Sequence, residues 1–137
     1  MRSPSGHDYK AALVGTLACD VDFYGEYAPN VQRWYEKIAD EVMFVNLSLV
    51  NPAGDRSKPP AEQRDVYMHV VKERDDGIVV RGARMVSTGA AFSHVTYMSQ
   101  YIQPAGLAEN EEDFAIGFFV PFNVPGLTFM GRYSCEY

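Results

Sequence analysis

The stretch VNPAGDRSK, residues 50–58, divides the chain into a helical half and a β half. Its proline, its glycine and its three charged side chains exclude it from a packed core. Before this stretch, apolar residues recur at steps of three and four; after Pro59-Pro60 they alternate with a period of two. We therefore predict an α+β fold, in which N-terminal helices are followed by an antiparallel β-sheet or barrel.

The helical half contains two predicted helices. The first spans residues 8–19, with Asp8 as a suitable N-cap. The second spans about residues 29–45 and begins at Pro29, a residue that suits a first helical turn. Its apolar positions, spaced for one helix face, are Val31, Trp34, Ile38, Val42 and Val45. The segment between the two helices, DVDFYGEY, is predicted to be a connection.

The β half contains about five predicted strands. VYMHVVKE and IVVRGARMV flank RDDG, where Asp76-Gly77 can supply the positive φ angles of a tight hairpin turn. HVTYMSQYI and DFAIGFFVPF follow, and LTFMGRYS comes after an NVPG turn. In DFAIGFFVPF, alternation predicts one face that packs against a core, formed by Phe114, Ile116, Phe118, Val120 and Phe122.

Length and composition limit the possible functions. The 137 residues suit one domain with a real core, and 47% apolar against 22% charged residues is ordinary globular usage. The net charge of −6 argues against a nucleic-acid or anionic-membrane surface. Cys19 and Cys135 form no ligand motif and are expected to be reduced thiols. Without a long apolar run or a signal sequence, the protein is predicted to be soluble and cytoplasmic.

Standard catalytic and nucleotide-binding signatures are missing, and His7, His69 and His94 lack metal-ligand spacing, so no metal site is predicted. For His69 and His94 we expect structural or surface roles. Arg2 and Tyr9 lie close to one helix start and could together bind an anion or a phenolic oxygen. The alternative is a frayed N-terminus and a surface loop.

Three blocks of the sequence resemble a known family. RSP…DYKAALVGTL, LSLVNPAGDRSKPP and DVYMHVVKERDDGIVVRGARMVSTGAAFSH are similar, in this order, to the 4-hydroxyphenylacetate 3-hydroxylase family, the oxygenase components of two-component flavin monooxygenases. The resemblance implies part of an acyl-CoA-dehydrogenase-like fold. Residues 1–58 would form the end of its N-terminal helical domain and residues 59–137 its middle β-domain. Family members are several-fold longer, so we expect a fragment.

The resemblance also implies a reaction. In the family, a separate NADH-dependent reductase supplies reduced FAD (FADH2), and a C4a-hydroperoxyflavin hydroxylates a phenol next to its hydroxyl group. We therefore expect part of a monooxygenase that acts on a small phenolic or other aromatic substrate. The complete family enzymes usually assemble as tetramers, so a homo-oligomer is expected, without nucleic acid or membrane as a partner.

The family's substrate-binding residues match Arg2 and Tyr9, and the sequence departs from the family there. Members usually read RSPDY, whereas Ser5-Gly6-His7 intervene here between Pro4 and Asp8. Members also carry a histidine where this chain has Leu47, which cannot form a side-chain hydrogen bond. His7 could supply the imidazole; otherwise the substrate differs or the base lies outside the chain.

The family's flavin contacts fall on the end of one strand, on the stretch of residues 50–58, which we call the seam, and on one later residue. The matching positions are Leu47, Ser48, Leu49, Ala53, Gly54, Asp55, Arg56 and Thr88. A purely structural alternative is that Asp55 and Arg56 pair with each other or cap a turn. Two other functions stay open: a dehydratase branch of the superfamily, whose helical CxxxC cluster motif is missing here, and a non-catalytic binding or assembly module.

Overall fold

A computed structural model describes residues 5–55, 57–99, 108–131 and 133, and only the backbone of residues 5–8. The helices are α1 (Ser5–Ala18) and α2 (Ala28–Asp40), joined by a 3-10 segment, Val21–Tyr27. The strands are β1 (Val45–Ser48), β2 (His69–Arg74), β3 (Gly77–Arg81), β4 (Val95–Ser99) and β5 (Gly117–Pro121). The predicted α+β class is confirmed.

Both helices differ from the prediction at one end. Helix α1 begins at Ser5, so Asp8 lies inside it and is not its N-cap. Helix α2 ends at Asp40, and the prediction that Val42 and Val45 continue it is wrong. The cause is Val42, whose φ of +49° reverses the chain. The helix ends in a Schellman motif, because the Val42 amide donates to the Ala39 carbonyl (3.3 Å) and the Met43 amide to the Ile38 carbonyl (3.0 Å).

The predicted hairpin is confirmed as the antiparallel pair β2–β3. Arg74 pairs with Gly77, so Asp75 and Asp76 form the turn between them. Only Gly77 takes a positive φ, +146°, and the expectation of a positive φ at Asp76 was wrong. Directly after β3, Gly82 has a φ of +124° and approaches the backbone of Met68 so closely that a Cβ would lie 2.5 Å from its nitrogen.

The second sheet has three strands in the order β1-β4-β5. Strands β4 and β5 are antiparallel, as expected, whereas β1 and β4 are parallel, with Val45 opposite Val95. The described strands are therefore an open mixed sheet and a hairpin, not one antiparallel sheet or barrel. The difference arises because the seam and the hairpin carry the chain back to the starting end of β1 before β4 begins.

Two predicted strands differ in the structure: the one predicted for DFAIGFFVPF is shorter, and the one predicted for LTFMGRYS is not found among its described residues. Strand β5 begins at Gly117, and Phe114 lies in a 3-10 turn, Glu112–Phe114. Phe114 is nevertheless fully buried, with its ring centroid 5.3 Å from that of His69 under the hairpin. The described residues of LTFMGRYS are not in a strand.

The main core lies between the helices and the three-stranded sheet. It consists of Val14, Ile38, Val45 and Val95, with Trp34, Met43 and Phe119 packed against it. Each buried aliphatic side chain of this kind contributes about 1.5–3 kcal/mol. In the part of the chain that the structure describes, no helix has the length and apolar character to cross a bilayer.

Candidate functional site

A buried polar cluster lies at strand β1, formed by Lys10, Asn46, Ser48, Ser87 and Thr96. Asn46, Ser48 and Thr96 are at most 1% exposed. The Ser48 hydroxyl is 2.6 Å from that of Ser87 and 2.9 Å from that of Thr96. The Asn46 side-chain amide donates to Ser48 (3.2 Å) and to Thr96 (3.3 Å). The polar cluster therefore joins β1 to β4 and to the residues before Thr88.

Helix α1 contributes Lys10 to the polar cluster. The Lys10 ammonium donates to the Asn46 side-chain oxygen (3.2 Å) and to the Thr88 carbonyl oxygen (2.9 Å). Burial lowers the pKa of Lys10 below its ordinary value, because desolvation disfavours the charged form. Lys10, which directly follows Tyr9, thus contacts Thr88, the residue matched to the family's flavin-contacting threonine.

The segment 82–89 runs alongside the end of β1 and the start of the seam. The Met85 amide donates to the Val50 carbonyl (3.0 Å), and Arg84 hydrogen-bonds the side-chain oxygen of Asn51. Burial lowers the pKa of Arg84 to about 10. Val86 has a φ of +61°, a strained conformation for a β-branched residue. The segment therefore holds Thr88 beside the strand that carries Leu47, Ser48 and Leu49.

The seam loop is held by Gln63. Its side chain accepts from the Asp55 amide (2.7 Å) and donates to the carbonyls of Asp55 (2.9 Å) and Lys58 (3.0 Å). Gly54 lies so close to Gln63 that a Cβ would be 2.6 Å from the Gln63 side-chain oxygen, and it would also overlap the Tyr67 hydroxyl. The loop therefore has no room for a side chain at residue 54.

Asp55 caps a turn, as the structural alternative proposed. Its carboxylate accepts from the Ser57 hydroxyl (2.6 Å) and the Ser57 amide (3.0 Å). These two hydrogen bonds hold the pKa of Asp55 below its ordinary value, the side-chain bond having the larger effect. Arg56 lies outside the described residues. A pair between Asp55 and Arg56, and the flavin contacts of both, stay predictions.

The structure brings some of the predicted flavin residues together. Ser48 is buried within the polar cluster and Leu47 is half-buried, whereas Leu49, Ala53 and Thr88 are exposed. Sequence reasoning missed Lys10, Asn46, Thr96 and the structural role of Ser87. One signal was available: Asn46 and Ser48 are polar residues two apart in an apolar segment, which indicates a polar contact on one face of a strand.

The predicted substrate residues are described only in part. Tyr9 lies on α1 and is 69% exposed. Arg2 lies outside the described residues, and for His7 only the helical backbone is described. The convergence of these three residues on a phenol therefore stays a prediction.

The other two histidines have the structural contacts that were predicted. His69 is buried, and its Nδ1 is 2.9 Å from the Tyr67 carbonyl oxygen. The Nδ1 of His94 accepts from the Phe44 amide at 2.9 Å. Cys19 is exposed and free, Cys135 lies outside the described residues, and the described part holds no group of three potential metal ligands.

A large open groove lies elsewhere. It has a volume of about 1240 Å³ and is lined by residues that include Tyr24, Trp34, Tyr97 and Phe119. Burial, together with Tyr97 and Asp20, raises the pKa of Tyr24. Among the positions matched to the family's flavin contacts, none of those that the structure describes lines this groove. Its size alone therefore does not make it the preferred site, since the polar cluster and Thr88 lie outside it.

Comparison with known proteins supports the family resemblance. The family model described as "4-hydroxyphenylacetate 3-hydroxylase N terminal" matches residues 2–137. The pyoverdin chromophore biosynthetic protein PvcC of Pseudomonas aeruginosa is 43% identical over 94% of this chain and 26% of its own length. The oxygenase component of 4-nitrophenol 2-monooxygenase from a Rhodococcus species is 42% identical over 98% of this chain and 24% of its own length.

A solved structure is similar as well. The oxygenase component (HpaB) of 4-hydroxyphenylacetate 3-monooxygenase, crystallised with FAD and 4-hydroxyphenylacetate, aligns with a TM-score of 0.77 and 35% identity. The alignment covers 88% of this chain and 25% of that one. The chain thus spans about a quarter of the length of these relatives. The family match over residues 2–137 shows that the chain belongs to the 4-hydroxyphenylacetate 3-hydroxylase family.

Proposed function

We propose that this chain is part of an oxygenase that uses reduced FAD to hydroxylate a phenolic or other aromatic substrate. The observation that carries the proposal is the placement of Thr88 beside β1. Ser87, its neighbour, is 2.6 Å from Ser48, one of the three β1 positions matched to flavin contacts. Two of the proteins named above support the same function here: one is the oxygenase component of 4-nitrophenol 2-monooxygenase, and the other was crystallised with FAD.

The residues present fit a flavin ring. The Thr88 hydroxyl is exposed, and among the described residues it has no hydrogen-bond partner, so it is available to a polar ring atom. In the described part of the chain, β1 pairs with only one strand, which leaves main-chain donors and acceptors on its other edge. The exposed side chains of Leu49 and Val86 provide apolar surface beside them. Polar edge groups next to apolar surface are what an isoalloxazine requires.

Ser48 has a different role in this proposal. Its hydroxyl is already engaged by Ser87, Thr96 and Asn46 inside the cluster. We therefore propose that Ser48 contacts the flavin through its main chain, while its side chain fixes the position of Ser87 and Thr88. Leu47, Ala53, Gly54, Asp55 and Arg56 complete the proposed cofactor contacts.

When bound, reduced FAD supplies two electrons to dioxygen, so that one oxygen atom enters a ring C–H bond and the other leaves as water. The chain's own part is to orient the phenol. Arg2 and Tyr9 are proposed to donate hydrogen bonds to its oxygen, which favours the electron-rich phenolate. Leu47 cannot donate or accept a proton, so His7, or a group outside this chain, is proposed for any proton transfer at the phenol.

The remaining sequence predictions belong to the same proposal. They are a separate NADH-dependent reductase, a homo-oligomer, a cytoplasmic location, and a division into a helical part (residues 1–58) and a middle β-domain (residues 59–137). The pairing of β1 with β4 crosses this division. The helical part therefore also supplies a strand to the sheet of the β-domain.

The direct test is an anaerobic titration of the natural gene product with reduced FAD, followed through the flavin spectrum. We expect a saturable spectral change at micromolar flavin. Arg56→Ala should weaken this binding, and Arg74→Ala, at an exposed position at the end of β2, is the matched control. Equal affinities of wild type and Arg56→Ala would remove Arg56 from the site.

The second candidate is a non-catalytic binding or assembly module. The observation that favours it is Leu47, because the family's histidine at this position is missing. A correctly folded sample that gives no spectral change with micromolar reduced FAD would support the module and contradict the oxygenase.

A further inference from the structure

We propose that Lys10 is a positioning residue that locks helix α1 to the Thr88 loop and so couples the substrate side of the site to its flavin side. This inference rests on the proposed function for its consequence, but its structural part can be tested without flavin. Lys10 follows Tyr9 directly, and its ammonium reaches residues 36 and 78 positions later in the chain.

The contacts of Lys10 involve two different elements. Its ammonium donates to the side chain of Asn46 on β1 at 3.2 Å and to the main chain of Thr88 at 2.9 Å. Hydrogen bonds from a charged donor are roughly twice as strong as those between neutral groups. One side chain therefore fixes the distance between α1, β1 and the loop.

The Thr88 loop, residues 87–89, is held at three successive residues. The Ser87 hydroxyl is 2.6 Å from that of Ser48, the Thr88 carbonyl accepts from Lys10, and the Gly89 carbonyl accepts from the Ser93 hydroxyl at 3.0 Å. Because the middle contact is made by the carbonyl, it sets the peptide plane of Thr88 and leaves the hydroxyl free. Lys10 thus determines the orientation of Thr88 without occupying its side chain.

Gly89 fits this arrangement. Its φ of +84° turns the chain, and a Cβ there would lie 3.6 Å from the Lys10 ammonium. Two substitutions therefore act on this region in different ways. Lys10→Met removes the charge and keeps an unbranched side chain of similar length. Gly89→Ala keeps Lys10 and strains the turn beside it.

The consequence is that Tyr9 and Thr88 cannot move independently. Tyr9 is on the turn of α1 that carries Lys10, and Lys10 is bound to Thr88. A substitution of Lys10 should therefore change both the affinity for reduced flavin and the apparent affinity for a phenol. A residue that only stabilised α1 would lower the stability of the protein without loosening the Thr88 loop.

The test measures hydrogen exchange by mass spectrometry on the flavin-free natural gene product. In Lys10→Met, amides of residues 87–92 should exchange about tenfold faster, the factor that corresponds to one lost charge-assisted hydrogen bond. Lys10→Arg should restore part of the protection. Lys37→Met, which removes an exposed i,i+4 pair with Glu41, is the control and should leave this segment unchanged.

Unchanged exchange of residues 87–92 in Lys10→Met, with its circular dichroism spectrum intact, would overturn the inference. Should Lys10→Met fail to fold, Lys10→Gln serves instead, because it also removes the charged donor, and the same lack of faster exchange in residues 87–92 overturns the inference. Faster exchange, together with about tenfold weaker binding of reduced FAD, supports both proposals. Faster exchange in a protein whose wild type binds no reduced FAD supports the role of Lys10 as a lock and removes the oxygenase function.

Discussion

Replacing Ser48 by Ala tests whether the polar cluster stabilises the site. The substitution removes a hydroxyl that is 1% exposed and contacts Asn46, Thr96 and Ser87. Asn46 and Thr96 keep their contact with each other, at 3.3 Å, so each is left only partly unsatisfied. A buried polar group without its partner costs about 1–3 kcal/mol. We expect the free energy of unfolding to fall by about 2–3 kcal/mol.

The assay is urea denaturation, followed by the fluorescence of Trp34, the single tryptophan, which packs against Phe119 beside the sheet. Ser87→Ala is the matched control. It removes the Ser87 hydroxyl from the Ser48–Ser87 hydrogen bond, at a half-buried position that water can reach. It should therefore lower the free energy of unfolding by only about 1 kcal/mol. The double variant should lose less than the sum of the two. A loss below about 0.5 kcal/mol for Ser48→Ala would refute the assignment of a tight, fully buried cluster.

Three further predictions concern the backbone and the seam. Val42→Gly should raise the free energy of unfolding by up to about 1 kcal/mol in urea denaturation, because relief at a φ of +49° exceeds the added chain entropy. Gly15→Ala should stabilise α1 by about 1 kcal/mol in the same assay, since a Cβ there meets nothing within 4 Å, whereas Gly82→Ala should destabilise by more than about 2 kcal/mol. In an NMR titration, Ser57→Ala should raise the pKa of Asp55 towards 3.8, because it removes the hydroxyl that holds this pKa down. In the wild type, the stability that this turn contributes is present above pH 3.8 and is lost as the pH falls through the lowered pKa of Asp55. A lower stability of Val42→Gly, equal effects at the two glycines, or an unchanged pKa would contradict these predictions.

The helices and the hairpin were predictable because their signals are local. The apolar spacing of α2 and the Asp-Gly sequence of the hairpin both act over a few residues. The end of α2 was not predictable in this way. A helix that stops at a left-handed residue usually has glycine there, and Val42 gives the opposite signal. The periodic placement of Val45 then extended the predicted helix into β1, since a buried residue on a short strand has the same apolar character.

The site was only partly predictable for a different reason. The family resemblance selected Ser48 and Thr88, but not the side chains that hold them. Lys10 looks like an ordinary surface residue of a helix, and its importance depends on Asn46 and Thr88, which are distant in sequence. Parallel pairing of β1 and β4 was hidden for the same reason, because register between distant strands has no local signal.

The polar cluster must have all its hydrogen bonds satisfied, whereas the proposed flavin-contacting surface at Thr88 must keep polar groups free. This difference explains why the first is buried and the second is exposed. A cofactor edge must keep donors and acceptors free, and free polar groups cannot be buried without cost. Here the buried hydroxyls of Ser48 and Thr96 satisfy each other at 2.9 Å, while the hydroxyl of Thr88 stays at the surface. Lys10 links the two regions by binding a carbonyl. We expect Ser48→Ala and Lys10→Met both to speed up hydrogen exchange in residues 87–92. Only Ser48→Ala should also lower the free energy of unfolding by more than about 2 kcal/mol. This result would show that the buried groups maintain the fold, whereas Lys10 sets the geometry of the Thr88 loop at the surface.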